Sequence, residues 1–341
     1  MGNKVNQICQ TYNAQSSHIA KKTLSDSLNL RLCYLSPTMR CNATCKFCSV
    51  WKGSTQLSLN ECKKVICEFA DLNGDILILS GGECCYYPGF AELLEIIKTC
   101  SVRWGMITNG SALMQPNFNI LKEAQPSYIV YSRDFPTPEK QAAMRGINIC
   151  DDEIISSLRI LKTQGALLQI NTVLFSDNYE QLLQFIEHPA IQEIDFWHLI
   201  PVKGKMQKCW SNTSSLRLIN TILPELEDRL RNKSVQLFFP DLQTSQPPFE
   251  AVTVGHKNRP IQCTFKDVSL NVLPDKSVYT CNCFDWKDRM LFKLGSIDRH
   301  SLADCIRRRK TPNFISGLSK TLCLFCDPIN DNLEHLLTNE S

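Results

Sequence analysis

Residues 41–48 read Cys41-Asn-Ala-Thr-Cys45-Lys-Phe-Cys48, which puts three thiols in one short loop. Three thiolates close together suit a soft-metal centre, and cysteine thiolates are the standard ligands of iron–sulfur cubes. A fourth cysteine is missing at this spacing, which leaves one iron of such a cube open, and an open metal position binds substrate or cofactor. A zinc site, or three incidental thiols, is the other reading of the same residues. The loop holds no histidine, however, and zinc ligands usually come as two separated Cys-x-x-Cys pairs.

Outward from this loop the chain alternates strand and helix. Leu28 to Leu35 reads as a strand leading into it. Ser58 to Ala70 reads as a helix, with Leu59, Cys62, Val65, Ile66 and Phe69 at helical spacing. The apolar strand Asp75 to Ser80 ends in Gly81-Gly82-Glu83. Helix Phe90 to Thr99 follows, and strand Arg103 to Thr108 ends in Asn109-Gly110. Strand Tyr128 to Ser132 precedes Arg133-Asp134, and helix Asp151 to Thr163 stops before Gly165. Strand Ala166 to Phe175, helix Tyr179 to Ile186, strand Ile194 to Ile200 and a long helix Ser215 to Arg231 complete the series.

Such alternation implies a parallel sheet with crossover helices. Six strands are too few for a closed eight-fold barrel, so the expectation is α/β, a partial (β/α)6 TIM-like barrel that stays open. In such sheets the chemistry sits at the C-terminal ends of the strands. The cysteine loop, Gly81-Gly82-Glu83, Asn109 and Ser132 all fall there.

The boundaries read as a polar extension at 1–27, the barrel at 28–239, a linker at 240–260, a small cysteine-rich α+β domain at 261–328 and a tail at 329–341. The linker loses periodicity and carries Pro247-Pro248. In the small domain, Val268 to Val272 and Ser277 to Cys281 read as a hairpin turning at Pro274-Asp275-Lys276, followed by a helix from Ser301 to Lys310.

The Cys-x3-Cys-x-aromatic-Cys pattern, with Phe47 as the aromatic, resembles the signature of the radical S-adenosylmethionine superfamily. Gly81-Gly82-Glu83, at the end of the next strand, resembles its second motif. The resemblance covers about Leu28 to Arg231. It implies that Cys41, Cys45 and Cys48 hold a 4Fe–4S cluster whose fourth iron is chelated by S-adenosylmethionine. It also implies that backbone groups at Gly81 and Gly82, with the Glu83 region, receive the methionine ammonium. Phe47 would lie near the adenine, Asn109 near the cofactor and Ser132 at the ribose. A strand-end turn explains the glycines equally well, and a Thr-Asn-Gly turn explains Asn109. Two departures stand out: Arg133 occupies a usually apolar position, and Gln169, Asn171 and Thr172 replace the family's fifth-strand motif.

Cys263 and Cys281 bracket the hairpin, and Cys323-Leu-Phe-Cys326 follows. This resembles the auxiliary-cluster "twitch" domain, the short relative of the SPASM domain. Four thiolates would saturate a second 4Fe–4S cluster. Cys283 competes with Cys281 as a ligand, and a zinc knuckle is the alternative. The turn usually carries Gly where Lys276 stands, and a positive φ there costs Lys more than Gly.

The composition bounds the rest. With 43% hydrophobic and 21% charged residues, the 341-residue chain is no disordered protein. A net charge of +3 makes no case for nucleic acid. No apolar run reaches the ~20 residues that cross a bilayer. Residues 1–27 lack a signal-peptide core, and Asn6 stands where a myristoylation signal wants Ser or Thr, so the expectation is a cytoplasmic protein. Eighteen cysteines without a secretory signal read as metal ligands or reactive groups rather than disulfides.

Cys84, Cys85, Cys150 and Cys209 could approach a substrate, the last two as hydrogen donors, but small apolar packing is the plainer reading. Cys62, Cys67, Cys100 and Cys305 read as helix-packing residues. Trp197 and His198, at the end of the last strand, read as a packed aromatic and a turn histidine. Arg307 to Lys310 reads as a solvated helix end.

The function the resemblance implies is an iron–sulfur oxidoreductase or maturase, carrying out oxidative modification of a peptide or a sugar-like, aminocyclitol-type natural product. It would need an external one-electron reductant of flavodoxin or ferredoxin type. The stretch ahead of the strand at Leu28 is too short for an attached recognition domain, so a peptide-recognition protein would be separate. The alternatives are a redox-neutral epimerase with a cysteine hydrogen donor, and a non-catalytic metal-binding or sensor protein.

Overall fold

The computed structural model describes residues 30–48, 53–202, 214, 217–238, 269–280 and 292–309. The expected N-terminal extension, linker and tail lie outside them. So do Cys209, Cys263, Cys281, Cys283, Cys323 and Cys326.

The strands are β1 (Leu32–Leu35), β2 (Ile76–Leu79), β3 (Trp104–Thr108), β4 (Tyr128–Ser132), β5 (Leu167–Leu174), β6 (Phe196–Pro201) and β7 (Gln236–Phe238). Each pairs parallel with the next, and the sheet is not closed on itself. The seventh strand corrects the sequence expectation of six. It has three residues, too short to show a period.

Helices α1 (Leu59–Asp71), α2 (Phe90–Thr99), α3 (Asn117–Glu123), α4 (Pro138–Arg145), α5 (Asp151–Thr163), α6 (Leu182–Phe185), α7 (Pro189–Glu193) and α8 (Leu223–Leu230) supply the crossovers. A reciprocal cap starts α1: Ser58 Oγ accepts from the Glu61 amide at 3.3 Å, and the Glu61 carboxylate accepts from the Ser58 amide at 2.7 Å. Its Cys62, Val65, Ile66 and Phe69 are buried against the sheet. The expected long helix over Ser215 to Arg231 is helical from 217 to Leu230 among the described residues, with a π-helical stretch, Leu218–Ile222, leading into α8. Pro224 has no amide to donate four residues back, and wider turns ahead of it accommodate the loss.

Because successive strand residues alternate faces, each strand has two duties. Cys33, Leu35, Leu77, Leu79, Met106 and Ile129 join the helices in the main core. Leu32, Ile76 and Ile78, with Tyr34, Ile107 and Tyr128, form a separate apolar cluster on the inner face.

The C-terminal hairpin does not stand apart from the barrel. Strand β8 (Ser269–Val272) pairs parallel with β1, and β9 (Ser277–Tyr279) and β10 (Lys293–Ser296) follow antiparallel, giving one ten-stranded sheet. Its turn holds Lys276 at φ +67°, the positive value that the missing Gly anticipated. Lys276 Nζ reaches Glu61 at 2.7 Å. Helix α9 (Leu302–Arg308) docks on α1, where the Leu302 amide donates to Glu68 Oε2 at 2.6 Å.

Candidate active site: the cysteine loop at the barrel mouth

The loop after β1 is tied at its base, where the Met39 amide donates to the Thr55 carbonyl at 2.9 Å and the Leu57 amide to Pro37 at 2.8 Å. On one flank it meets the end of β2. The Gly82 amide donates to the Thr38 carbonyl at 2.9 Å and the Glu83 amide to Arg40 at 2.8 Å. A Cβ on Gly82 would lie 2.0 Å from the Arg40 carbonyl oxygen, so only glycine permits this approach. The physical need for glycine here is therefore the seating of the cysteine loop itself. With the Gly82 and Glu83 amides spent on the loop, the carbonyls of Gly81 and Gly82 are what this turn can offer an ammonium group.

Glu83 turns its side chain inward. The carboxylate, 1% exposed, accepts from Thr108 Oγ1 and from the Asn109 amide, both at 2.7 Å, and from Cys85 Sγ at 3.6 Å. Burial pushes its pKa up to about 7 against those hydrogen bonds. Glu83 thus locks the end of β3, where Asn109 sits. Asn109 Nδ2 in turn donates to Asn42 Oδ1 at 3.0 Å and toward Cys41 Sγ at 3.6 Å, and Asn42 Nδ2 donates to Ser111 Oγ at 2.9 Å. Asn42, inside the cysteine loop, has no signal of its own in the sequence.

The other flank is the end of α4. The Thr44 amide donates to the Arg145 carbonyl at 2.8 Å, and the Lys46 amide to Met144 at 3.2 Å. Gly146 ends α4 with φ +68°, and a Cβ there would meet Thr44 Oγ1 at 2.0 Å. Arg145 makes a two-pronged ion pair with buried Asp134, at 2.8 and 3.0 Å. Its guanidinium also lies 5.4 Å from the centre of the Phe47 ring, which packs 5.2 Å from Phe175. Sequence reading missed Arg145 and Asp134, because ion pairs between separate segments carry no local pattern.

Cys45 is buried, and Cys41 and Cys48 are half-buried. The three thiols lie within electrostatic reach of one another. Burial is the main cause that raises Cys41 above the usual thiol range and carries Cys45 to about 11. Without a cation these two therefore hold their protons, and metal loading must displace them. Among the described residues no trio of His, Cys, Asp or Glu is gathered as the ligands of one metal ion would be. A cluster, with one thiolate per iron, does not need that. The donor set of three thiols, with the Ala43 amide 3.4 Å and Asn109 Nδ2 3.6 Å from Cys41 Sγ, suits a thiolate-held cluster.

Ser132 is half-buried, in register with Asn171 and, through it, His198, so the three form one row across β4, β5 and β6. His198 is thus a strand residue, not a turn residue. Gln169 Nε2 donates to Asn171 Oδ1 at 2.5 Å, and Tyr128 Oη donates to Gln169 Oε1 at 2.5 Å. Arg133 points away from this row into the protein. It is fully buried, paired with Asp151, and donates from Nη2 to the Pro136 carbonyl at 2.9 Å. Trp197 also faces the helices, donating from Nε1 to Thr172 Oγ1 at 2.9 Å. Cys84 donates to the Ser80 carbonyl at 2.9 Å, whereas Cys150 is exposed.

An open parallel barrel with a three-thiol loop clamped at its C-terminal mouth defines the class: an α/β barrel built to carry a cluster where its strands end. Comparison gives the likeness: residues 35–188, a little under half of the chain, match the model of the Radical SAM superfamily. The superfamily implies a 4Fe–4S cluster and S-adenosylmethionine, and marks the matched stretch as that of an enzyme.

Among curated proteins, the chain is 23% identical over 262 residues to the AdoMet-dependent heme synthase of Oleidesulfovibrio alaskensis, covering 74% of this chain and 64% of that one. The chain spans roughly half the length of the other curated relatives it matches. In fold it resembles Streptococcus suis SuiB bound to S-adenosylmethionine, with a TM-score of 0.64 and 15% identity over 88% of this chain and 70% of that one. It also resembles anSMEcpe with bound AdoMet and the Cp18Cys peptide, with a TM-score of 0.61 and 16% identity over 84% and 82%. No helix among the described residues is long and apolar enough to cross a membrane.

Proposed function

We propose that Cys41, Cys45 and Cys48 hold a 4Fe–4S cluster and that the barrel presents a peptide or natural-product substrate for oxidative modification. The observation that carries this reading is the clamping of the three-thiol loop from β2, β3 and α4 at the mouth of the barrel. When bound, the cluster and S-adenosylmethionine supply one-electron cleavage of the cofactor to methionine and a hydrogen-abstracting 5′-deoxyadenosyl radical.

The chain's own residues position and enclose. The carbonyls of Gly81 and Gly82 receive the methionine ammonium. Glu83 holds the end of β3, with Asn109, in place from behind. Phe47, steadied by Phe175 and Arg145, offers an apolar wall to the adenine, and Ser132 a polar edge to the ribose. The inner apolar cluster and the Ser132, Asn171 and His198 row give a substrate both an apolar and a polar surface.

A second cluster on Cys263, Cys281, Cys323 and Cys326 would accept the electron that a net oxidation releases. A flavodoxin- or ferredoxin-type protein would deliver the first electron, and a separate recognition protein would present a peptide. SuiB has been solved bound to its precursor peptide SuiA and anSMEcpe with peptides, which supports a peptide, while the heme synthase relative points to a tetrapyrrole.

The test is anaerobic reconstitution with iron and sulfide counted per chain, beside a Cys41/Cys45/Cys48→Ala variant. Two four-iron clusters predict about eight irons falling to about four, with 5′-deoxyadenosine released on reduction by the wild type only. About four irons falling to none removes the second cluster. Zinc in place of iron overturns the reading.

A further inference from the structure

At the opposite end of the barrel from the cysteine loop, two other thiols meet. Cys67 lies in the last turns of α1 and Cys100 caps the C-terminal end of α2. Both helices run back from the strand C-termini, so their ends lie near the starts of β2 and β3. The two sulfurs are 3.4 Å apart, and both residues are half-buried, so solvent reaches them. Other described cysteines are placed differently. Cys62 is buried and donates toward Tyr87 Oη at 3.9 Å, Cys33 and Cys305 are buried, and Cys150 is exposed with its amide on Met114.

We propose that Cys67 and Cys100 are a redox-modification site, a dithiol that a peroxide converts to a disulfide joining α1 to α2. A disulfide bond is about 2.05 Å long, so closure takes roughly 1.4 Å of side-chain movement from the present contact. One sulfur gives its electron pair to a peroxide oxygen, breaking the O–O bond and leaving a sulfenic acid and one water. The second sulfur displaces the sulfenic oxygen, which leaves as another water. Two thiols lose two protons and two electrons in all, and the peroxide is reduced to two waters. The site is independent of the cluster and of the proposed function, because it faces away from the barrel mouth.

The experiment treats reduced, cluster-loaded protein with about one equivalent of hydrogen peroxide, blocks remaining thiols with N-ethylmaleimide and digests with trypsin without reduction. Trypsin separates residues 65–98 from residues 99–103, so the disulfide appears as these two peptides joined, with Cys84 and Cys85 still blocked. The joined peptide is expected in the wild type and in C150S, and its loss in C67S and in C100S. In each single variant the surviving partner keeps its maleimide label. Retention of label on both cysteines in the wild type while Cys150 is oxidised overturns the proposal. So does joining of Cys100 to Cys84 or Cys85. The wild-type result stands alone even where a variant folds poorly.

Discussion

Exchanging Glu83 for Gln tests how the barrel mouth is held. The carboxylate accepts from Thr108 Oγ1 and the Asn109 amide, and Gln offers one acceptor oxygen where both are needed. Either orientation of the amide leaves a buried donor unmet, a cost of about 1–3 kcal/mol at any pH. A second effect depends on pH. Burial raises the Glu83 pKa from 4.5 to about 7, so the folded protein binds a proton more tightly than the unfolded chain. That contribution is fully present below the unfolded pKa and is lost as the pH rises through about 7. Integrated from about pH 5 to about pH 8, it removes about 2.5 kcal/mol from the wild type and nothing from E83Q. Urea unfolding of both proteins under reductant, at several pH values, reads the difference, because every other titrating group cancels. E83Q starts the less stable and closes the gap, or reverses it, by about pH 8. Parallel stability curves across that range would refute both the buried carboxylate and its raised pKa.

Three further outcomes follow from the same geometry. Gly82→Ala forces a Cβ to within 2.0 Å of the Arg40 carbonyl oxygen, so the cysteine loop must shift. Overpacking of this kind costs about 1–3 kcal/mol, and iron per chain after reconstitution falls. Arg145→Leu leaves Asp134 buried without its cation and costs about 3–5 kcal/mol in denaturant unfolding, and D134L/R145L recovers much of that loss. Lys276→Gly relieves the left-handed backbone at the β8–β9 turn, φ +67°, and gives up only a partly exposed pair with Glu61. Its melting temperature rises in scanning calorimetry, and a fall shows that the ion pair outweighs the strain.

Much of the barrel was legible in the chain because its signals are local. Tyr128 to Ser132, Phe90 to Thr99 and Asp151 to Thr163 fall at the boundaries their periodicity indicates. The three-residue β7 was not legible, and neither were α3, α4 and α7, whose short runs compete with turn signals. The cysteine spacing and Gly81-Gly82-Glu83 marked the mouth of the barrel. Their partners did not show, because Asn42, Asp134 and Arg145 act through contacts between distant segments.

Local spacing is enough to set the alternation of elements, the loop that gathers three thiols and the turn glycines beside it, since each depends on residues a few positions apart. What those residues do to one another is a property of the folded chain. Folding turns the Glu83 carboxylate inward to hold Asn109 and sets Gly82 against the Arg40 carbonyl. It sends Arg133 and Trp197 into the helix-packed layer and leaves Asn171 and His198 on the inner face. It also joins the C-terminal hairpin to β1 as part of the same sheet, across most of the length of the chain. Parallel pairing and side-chain contacts at such separation depend on the closure of long loops around a shared core, which no local pattern encodes.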